Sequence, residues 1–272
     1  KQERWKEHSY HFKKYHELEK EVQSEKAIKQ AEQMKYRRKI EESERDRQIN
    51  LARFQEQEKI LHNILPSQIA ERIVSGEKTI ADSYDNVSVF FSDIVDFTKL
   101  SLKITAEQLV GLLNGIFIQF DQIARKHGLE KIKTIGDSYM AVCGAPIPVE
   151  NHAERTALFA LEVAEMMNDY RMKSGEKIEI RIGLHSGSVV AGIIGENKYS
   201  YDLWGDAVNT ASRMESYGEA GKVHVSNDFV LSLIGESNSL SSLESTGVRV
   251  LERGDLEIKG KGIMKTYFLE KL

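Results

Sequence analysis

Residues 131–145 read KIKTIGDSYMAVCGA. Two short runs of strand-forming residues flank a glycine and a carboxylate, Gly136 and Asp137, which is the composition of a tight β-hairpin turn. Upstream of it, residues 87–94, VSVFFSDI, form a nearly continuous apolar run that reads as a buried strand. Between the two, residues 105–128, TAEQLVGLLNGIFIQFDQIARKHG, carry apolar residues at helical spacing, with Thr105 placed to cap the first turn. Downstream, a helix is expected over 153–170, followed by the strand IEIRIGLHSG at 178–187 and a further apolar run, SVVAGIIG, at 188–195. The order strand, helix, hairpin, helix, strand predicts an α+β domain with a ferredoxin-like βαββαβ sheet and helices on one face. The tail adds DAVNTASRMES at 206–216 as a helix, KVHVS at 222–226 as a strand, and VRVLERGDLEIKG with KTYFLEKL as closing strands.

The first part of the 272-residue chain is built differently, with its first proline at Pro66 and its first glycine at Gly76. Glu, Lys, Arg and Gln dominate residues 1–65, so one long helix is expected there. Leu51, Phe54, Leu61 and Leu65 fall on the a and d positions of a single heptad frame broken by Glu58, the pattern of a coiled-coil seam. Trp5, Phe12, Tyr15, Leu18 and Val22 extend apolar positions upstream, with a charged interruption between Lys35 and Arg47. Three segments are therefore expected: 1–65 a helical coiled-coil segment suited to dimerisation, 66–84 a short helical linker including SQIAERIVSG, and 85–272 the α+β domain.

A net charge of −4 argues against a nucleic-acid surface, which carries a marked positive excess. The lone cysteine, Cys143, has no disulfide partner in the chain and lies in the apolar run SYMAVCGA, where a buried thiol is the simple reading. Nothing approaches the ~20 apolar residues of a membrane span, so no direct membrane insertion is expected. The chain opens on Lys1 in mid-helix pattern and reads as part of a longer protein: a cytoplasmic module with any anchor or sensor upstream.

Two carboxylates stand out. Asp93 ends an apolar strand and Asp137 sits at the hairpin tip. In a βαββ arrangement that strand and that hairpin are neighbours, so the two can converge on oxygen-seeking cations such as Mg²⁺, which take further ligands from phosphate and water. Taken singly, Asp137 is also an ordinary turn residue and Asp93 an ordinary cap.

FSDIVDFT at 91–98, KIKTIGDSYMAV at 131–142, RIGLHSG at 181–187, YDLWGDAVNTASRMES at 201–216 and EIKGKGIMKTYFL at 257–269 resemble, in order and spacing, the signature segments of class III adenylate and guanylate cyclases. The similarity runs from about Leu61 to the end. It implies two divalent cations, Mg²⁺ or Mn²⁺, held at Asp93, Ile94 and Asp137, with the ribose 3′-hydroxyl attacking the α-phosphate and pyrophosphate leaving. It further implies that Asn209 orients the ribose, that Arg213 neutralises charge on the α-phosphate, and that Lys259 binds phosphate. Asn209 and Arg213 are four apart on one helix, hence on one face.

At the family's two base-reading positions stand Lys133 and Asp202. Lysine only donates, suiting N1 of adenine, and aspartate only accepts, suiting its N6 amino group. The resemblance therefore implies ATP as substrate and cyclic AMP as product. Guanylate cyclases of the family carry glutamate and cysteine there. Because the family builds each site from two domains, a head-to-tail homodimer is implied, gated through the coiled coil by an upstream sensor. The alternatives are a guanylate cyclase or a catalytically silent nucleotide-binding module.

Several other motifs carry less. Asp96 stands where the family has glycine, and its carboxylate is expected to face solvent. His185 and Ser186 are adjacent on a strand and point to opposite faces, which disfavours a nucleophile pair. GSVVAG and GENKYS lack the GK[ST] of a Walker loop, and TIGDSYM lacks the GG[DE]EF-type tip of diguanylate-forming domains.

Overall fold

A computed structural model describes residues 2–172, 174–195, 198–235 and 246–272. Lys1, and Glu196 and Asn197 of the GENKYS stretch, lie outside the described residues. The chain divides into two compact units, Lys1–Ile64 and Leu65–Leu272.

The first unit is a single helix, α1 (Gln2–Ile64). Its large apolar side chains stand exposed along its length, among them Leu51 at 57% and Phe54 at 52%. A helix this polar gains little from burying its own surface, so a partner for the apolar stripe is the usual source of its stability. Leu65, placed by the heptad frame on the seam, lies past the end of α1 and is buried in the second unit.

The second unit opens with α2 (Ser67–Val74) and continues into β1 (Ala81–Ile94), a 14-residue strand, longer than the apolar run VSVFF alone suggests. Arg72 of α2 donates to Glu77 from Nε and Nη2 at 2.7 Å each and is also ion-paired with Asp82 near the start of β1. There follow α3 (Phe97–Ser101), α4 (Ala106–His127), β2 (Glu130–Ile135), β3 (Ser138–Cys143), α5 (His152–Asp169) and β4 (Ile180–Ile194). Next come β5 (Ser200–Trp204), α6 (Asp206–Ser216), β6 (Val223–Ser226), α7 (Asn227–Ile234), β7 (Val248–Ile258) and β8 (Gly262–Lys271). Thr105 caps α4 with a full capping box: its hydroxyl accepts from Gln108 N–H and its N–H donates to the Gln108 side chain.

The sheet order is β2-β3-β1-β4-β6-β8-β7, with β5 paired to β4. Its first four strands have the ferredoxin-like order, and the βαββαβ reading is the fold observed. The β2–β3 turn holds two residues, with Ile135 facing Ser138 and Gly136 at φ 63°. Phe90, Ile94, Ile116, Phe120, Tyr139, Phe159, Ile182 and Leu184 meet in the main core beneath α4, α5 and α7. Cys143 is buried there, and burial pushes its thiol up to about 11.

Three features differ from the sequence reading. IEIRIGLHSG and SVVAGIIG contribute to one strand, β4, because Gly187 between them stays paired, opposite Val87. YSYDLW, quoted only as part of a motif, is a strand antiparallel to β4. The core helices share one face, as expected, but α6 packs on the other.

That second face depends on Gly183. A Cβ there would lie 1.9 Å from the Glu215 backbone nitrogen and 2.6 Å from the Ala211 carbonyl, so α6 rests directly on the backbone of β4. Gly183→Ala is expected to lower stability by roughly 3 kcal/mol, at the upper end of overpacking costs, with turnover falling alongside. A denaturant unfolding curve within about 0.5 kcal/mol of the parent protein would contradict this seating.

Candidate active site

Registry places the first carboxylate. Asp93, at the end of β1, pairs across the sheet with Arg181 of β4, and the Arg181 Nη2 donates to Asp93 Oδ2 at 3.1 Å. The other oxygen of Asp93 accepts from the Ser138 hydroxyl at 2.7 Å. Asp137 turns in from the hairpin tip and accepts from the Ile94 N–H at 3.2 Å, which brings the two aspartates and the Ile94 backbone together. Burial first, and the negative charge of Asp93 second, push the Asp137 carboxyl from its ordinary 3.8 up to about 6.

Two partly buried carboxylates this close together form an anionic pocket suited to a cation. The donor set consists of hard oxygens, and no cluster of three or more His, Cys, Asp and Glu residues occurs among the described residues. It therefore fits Mg²⁺ or Mn²⁺ completing their shells from phosphate and water rather than a protein-enclosed zinc. The pH dependence follows. A carboxyl raised to about 6 in the folded chain contributes stability that is complete below the unfolded value near 3.8 and is lost as pH rises through 6. Mn²⁺ needs the deprotonated pair, so its addition is expected to raise the thermal midpoint more at pH 8 than at pH 5. An equal rise at both pH values would exclude this pair as the binding site.

The base-reading candidates also meet. Lys133 on β2 and Asp202 on β5 form an ion pair, with side chains 36% and 18% exposed. The Leu203 N–H donates to the second Asp202 oxygen at 2.9 Å, which fixes the carboxylate.

Asn209 and Arg213 lie on α6, the first exposed and the second partly so. Their helix is anchored at its far end. Arg253 of β7 donates to the Tyr217 carbonyl at 2.6 Å, and the His224 Nδ1–H donates to the Met214 carbonyl at 2.7 Å. Burial pushes His224 down to about 4, which keeps that ring neutral. At the near end, Lys261 of the β7–β8 turn is ion-paired with Asp206. Lys259, two residues earlier, is exposed in the same turn.

Asp96 adopts a left-handed conformation, φ 56° and ψ 26°, ahead of α3. That is a position glycine occupies without strain. Its side chain is 64% exposed and bonded to Lys99 at 2.8 Å. His185 and Ser186 do face opposite ways: His185 bonds Ser226 at 2.7 Å, whereas Ser186 bonds Ser88 at 2.6 Å, which in turn bonds His152 at 2.8 Å.

Arg181 and Glu215 were missed in the sequence. An arginine alternating with isoleucines in IEIRIG was the available signal, since its side chain had to leave the core face, but only the β1–β4 register sets it beside Asp93.

A sheet of this order thus carries two neighbouring strand-end aspartates, a Lys133–Asp202 ion pair, and Asn209 and Arg213 on α6 in one domain. The family model for the adenylate and guanylate cyclase catalytic domain matches residues 79–271, and this chain belongs to that family. It is 41% identical over 216 residues to guanylate cyclase soluble subunit beta-2 of Rattus norvegicus, covering 78% of this chain and 30% of the relative. It is 40% identical over 221 residues to an adenylate cyclase of Mycobacterium tuberculosis, covering 78% and 46%. Among solved structures it resembles the guanylate cyclase domain of RhGC from Catenaria anguillulae in complex with GTP, with a TM-score of 0.64, 39% identity, and coverage of 70% of this chain and 98% of that one. The chain thus spans less than half the length of these curated relatives. No helix among the described residues is long and apolar enough to cross a membrane.

Proposed function

We propose that this chain converts ATP to 3′,5′-cyclic AMP and pyrophosphate at two equivalent sites of a head-to-tail homodimer. The Lys133–Asp202 pair carries the choice of base. An ammonium that only donates stands beside a carboxylate that only accepts, which matches the N1 acceptor and N6 donor of adenine and opposes both edge groups of guanine. Relatives of both kinds are similar to this chain, so the preference rests on these two side chains.

Asp93, Asp137 and the main-chain oxygen of Ile94 would hold two divalent cations. When bound, these supply Lewis-acid stabilisation of charge on the ribose 3′-oxygen and on the triphosphate. Asn209 orients the ribose, and Arg213 spreads its guanidinium over the α-phosphate as negative charge builds there. Lys259 reaches the departing phosphates.

Helix geometry supports a composite site. Arg213 and Glu215 are two residues apart, about 200° around α6, and Glu215 is the residue that reaches back towards Arg181 and Asp93. Arg213 therefore projects away from its own chain's aspartates, towards a second copy. Ile135 at the hairpin tip and Val190, Ile194 and Trp204 on the β4–β5 ribbon stand 38–60% exposed, an apolar surface of the kind a partner covers. The long α1 is proposed to pair with its copy and to carry the state of an upstream sensor.

Turnover of the purified chain, offered ATP or GTP with Mg²⁺ or Mn²⁺ and with cyclic products resolved, tests the reading. Cyclic AMP is expected to predominate. Cyclic GMP as the main product would overturn the base assignment, and no product from either nucleotide would point to a silent module.

A further inference from the structure

Glu215 has no part in the reaction as described, yet it is among the best-fixed carboxylates in the domain. Its side chain is 10% exposed and accepts from the Arg181 Nε at 2.9 Å. Its second oxygen accepts from the Ser216 hydroxyl at 3.1 Å. The backbone beneath it is seated on Gly183, so α6 has no room to slide. Arg181 is consequently shared: its Nε edge is held by Glu215, and one nitrogen, Nη2, reaches Asp93 at 3.1 Å.

We infer that Glu215 is a positioning residue which, by holding the Nε of Arg181, prevents that guanidinium from closing on Asp93 through its Nε–Nη2 fork and so keeps Asp93 open to a divalent cation. The inference rests on the proposed metal role of Asp93 and Asp137. Guanidinium forks pair with carboxylates through two parallel N–H bonds whenever geometry allows. Without Glu215, Asp93 is the remaining carboxylate bonded to Arg181, and the arginine becomes a competitor for the cation. Charge acts in the same direction. Asp93, Asp137 and Glu215 against Arg181 sum to −2 when all are ionised, and loss of Glu215 leaves −1, a weaker field for a cation.

Direct Mn²⁺ binding, followed by the paramagnetic resonance of free Mn²⁺ with no nucleotide present, separates this role from turnover. Glu215→Gln is expected to raise the Mn²⁺ dissociation constant about three- to tenfold, within the range of couplings between contacting groups. Arg181→Gln, which removes the competitor, is expected to tighten Mn²⁺ binding, and adding Glu215→Gln to it should then weaken binding less than in the parent protein. An unchanged constant for Glu215→Gln, or an equal effect in both backgrounds, would overturn the inference. Should Glu215→Gln fail to fold, the Arg181→Gln protein decides alone: weaker Mn²⁺ binding there would refute competition by the arginine. Failure of the underlying reading looks different, because Asp93→Ala would then leave Mn²⁺ binding as it was.

Discussion

Asp93→Ala is expected to lower turnover by about a thousandfold while leaving the fold intact. On the proposed role of Asp93, several kcal/mol of charge stabilisation would depend on cations held by this carboxylate, and each 1.36 kcal/mol of barrier is tenfold in rate. The structure also says why stability should not fall with it. Arg181 keeps Glu215 as a partner at 2.9 Å, and Asp137 loses the like-charged neighbour that helps push its carboxyl to about 6. That carboxyl should move back towards its ordinary value. Activity assays paired with thermal unfolding check both halves. Turnover within tenfold of the parent would remove Asp93 from the metal site, and a large drop in the unfolding midpoint would make any loss of activity a folding effect.

Exchanging the proposed base-reading pair, Lys133 and Asp202, should have the second large effect. Lys133→Glu with Asp202→Cys replaces a donor by an acceptor and a carboxylate acceptor by a thiol that donates weakly. Each mismatched buried group costs about 1–3 kcal/mol, so the ratio of kcat/KM for ATP over GTP is expected to fall by about a hundredfold or more. The single variants should behave differently from the pair. Either change alone leaves one member of the Lys133–Asp202 ion pair partly buried without its partner, and activity on both nucleotides should decline. A double variant with an unchanged ratio would mean that other side chains read the base.

Much of this architecture was legible in the chain. The apolar run VSVFF, the Gly136-Asp137 turn and the cap at Thr105 are local signals whose reading does not depend on distant contacts, and the structure has a strand, a two-residue hairpin turn and a capped helix at those places. What stayed hidden was set by pairing. β5 is only five residues long, so the alternation of Tyr201 and Leu203 with Ser200 and Asp202 is too brief to mark a strand until β4 pairs with it. The position of α6 on the opposite face was unreadable because it depends on Gly183, and a glycine within a strand pattern does not announce what approaches it. The Asp93–Arg181–Glu215 chain of charges was invisible for the same reason: these residues lie 88 and 34 positions apart in sequence and meet through one strand register.

One consequence of the long first strand is mechanical. β1 runs unbroken from the neighbourhood of Arg72, whose guanidinium grips Asp82, to Asp93 beside the hairpin, a span of roughly 36 Å at 3.3 Å per residue. It is paired to β4 through most of that length and, from Ser88 to Ser92, to β3 on its other edge as well. A load applied at the Asp82 end would therefore reach Asp93 along continuous strand, with no loop between. The irregular stretch between Tyr84 and Val87, where the pairing to β4 slips, is the joint at which the strand would bend.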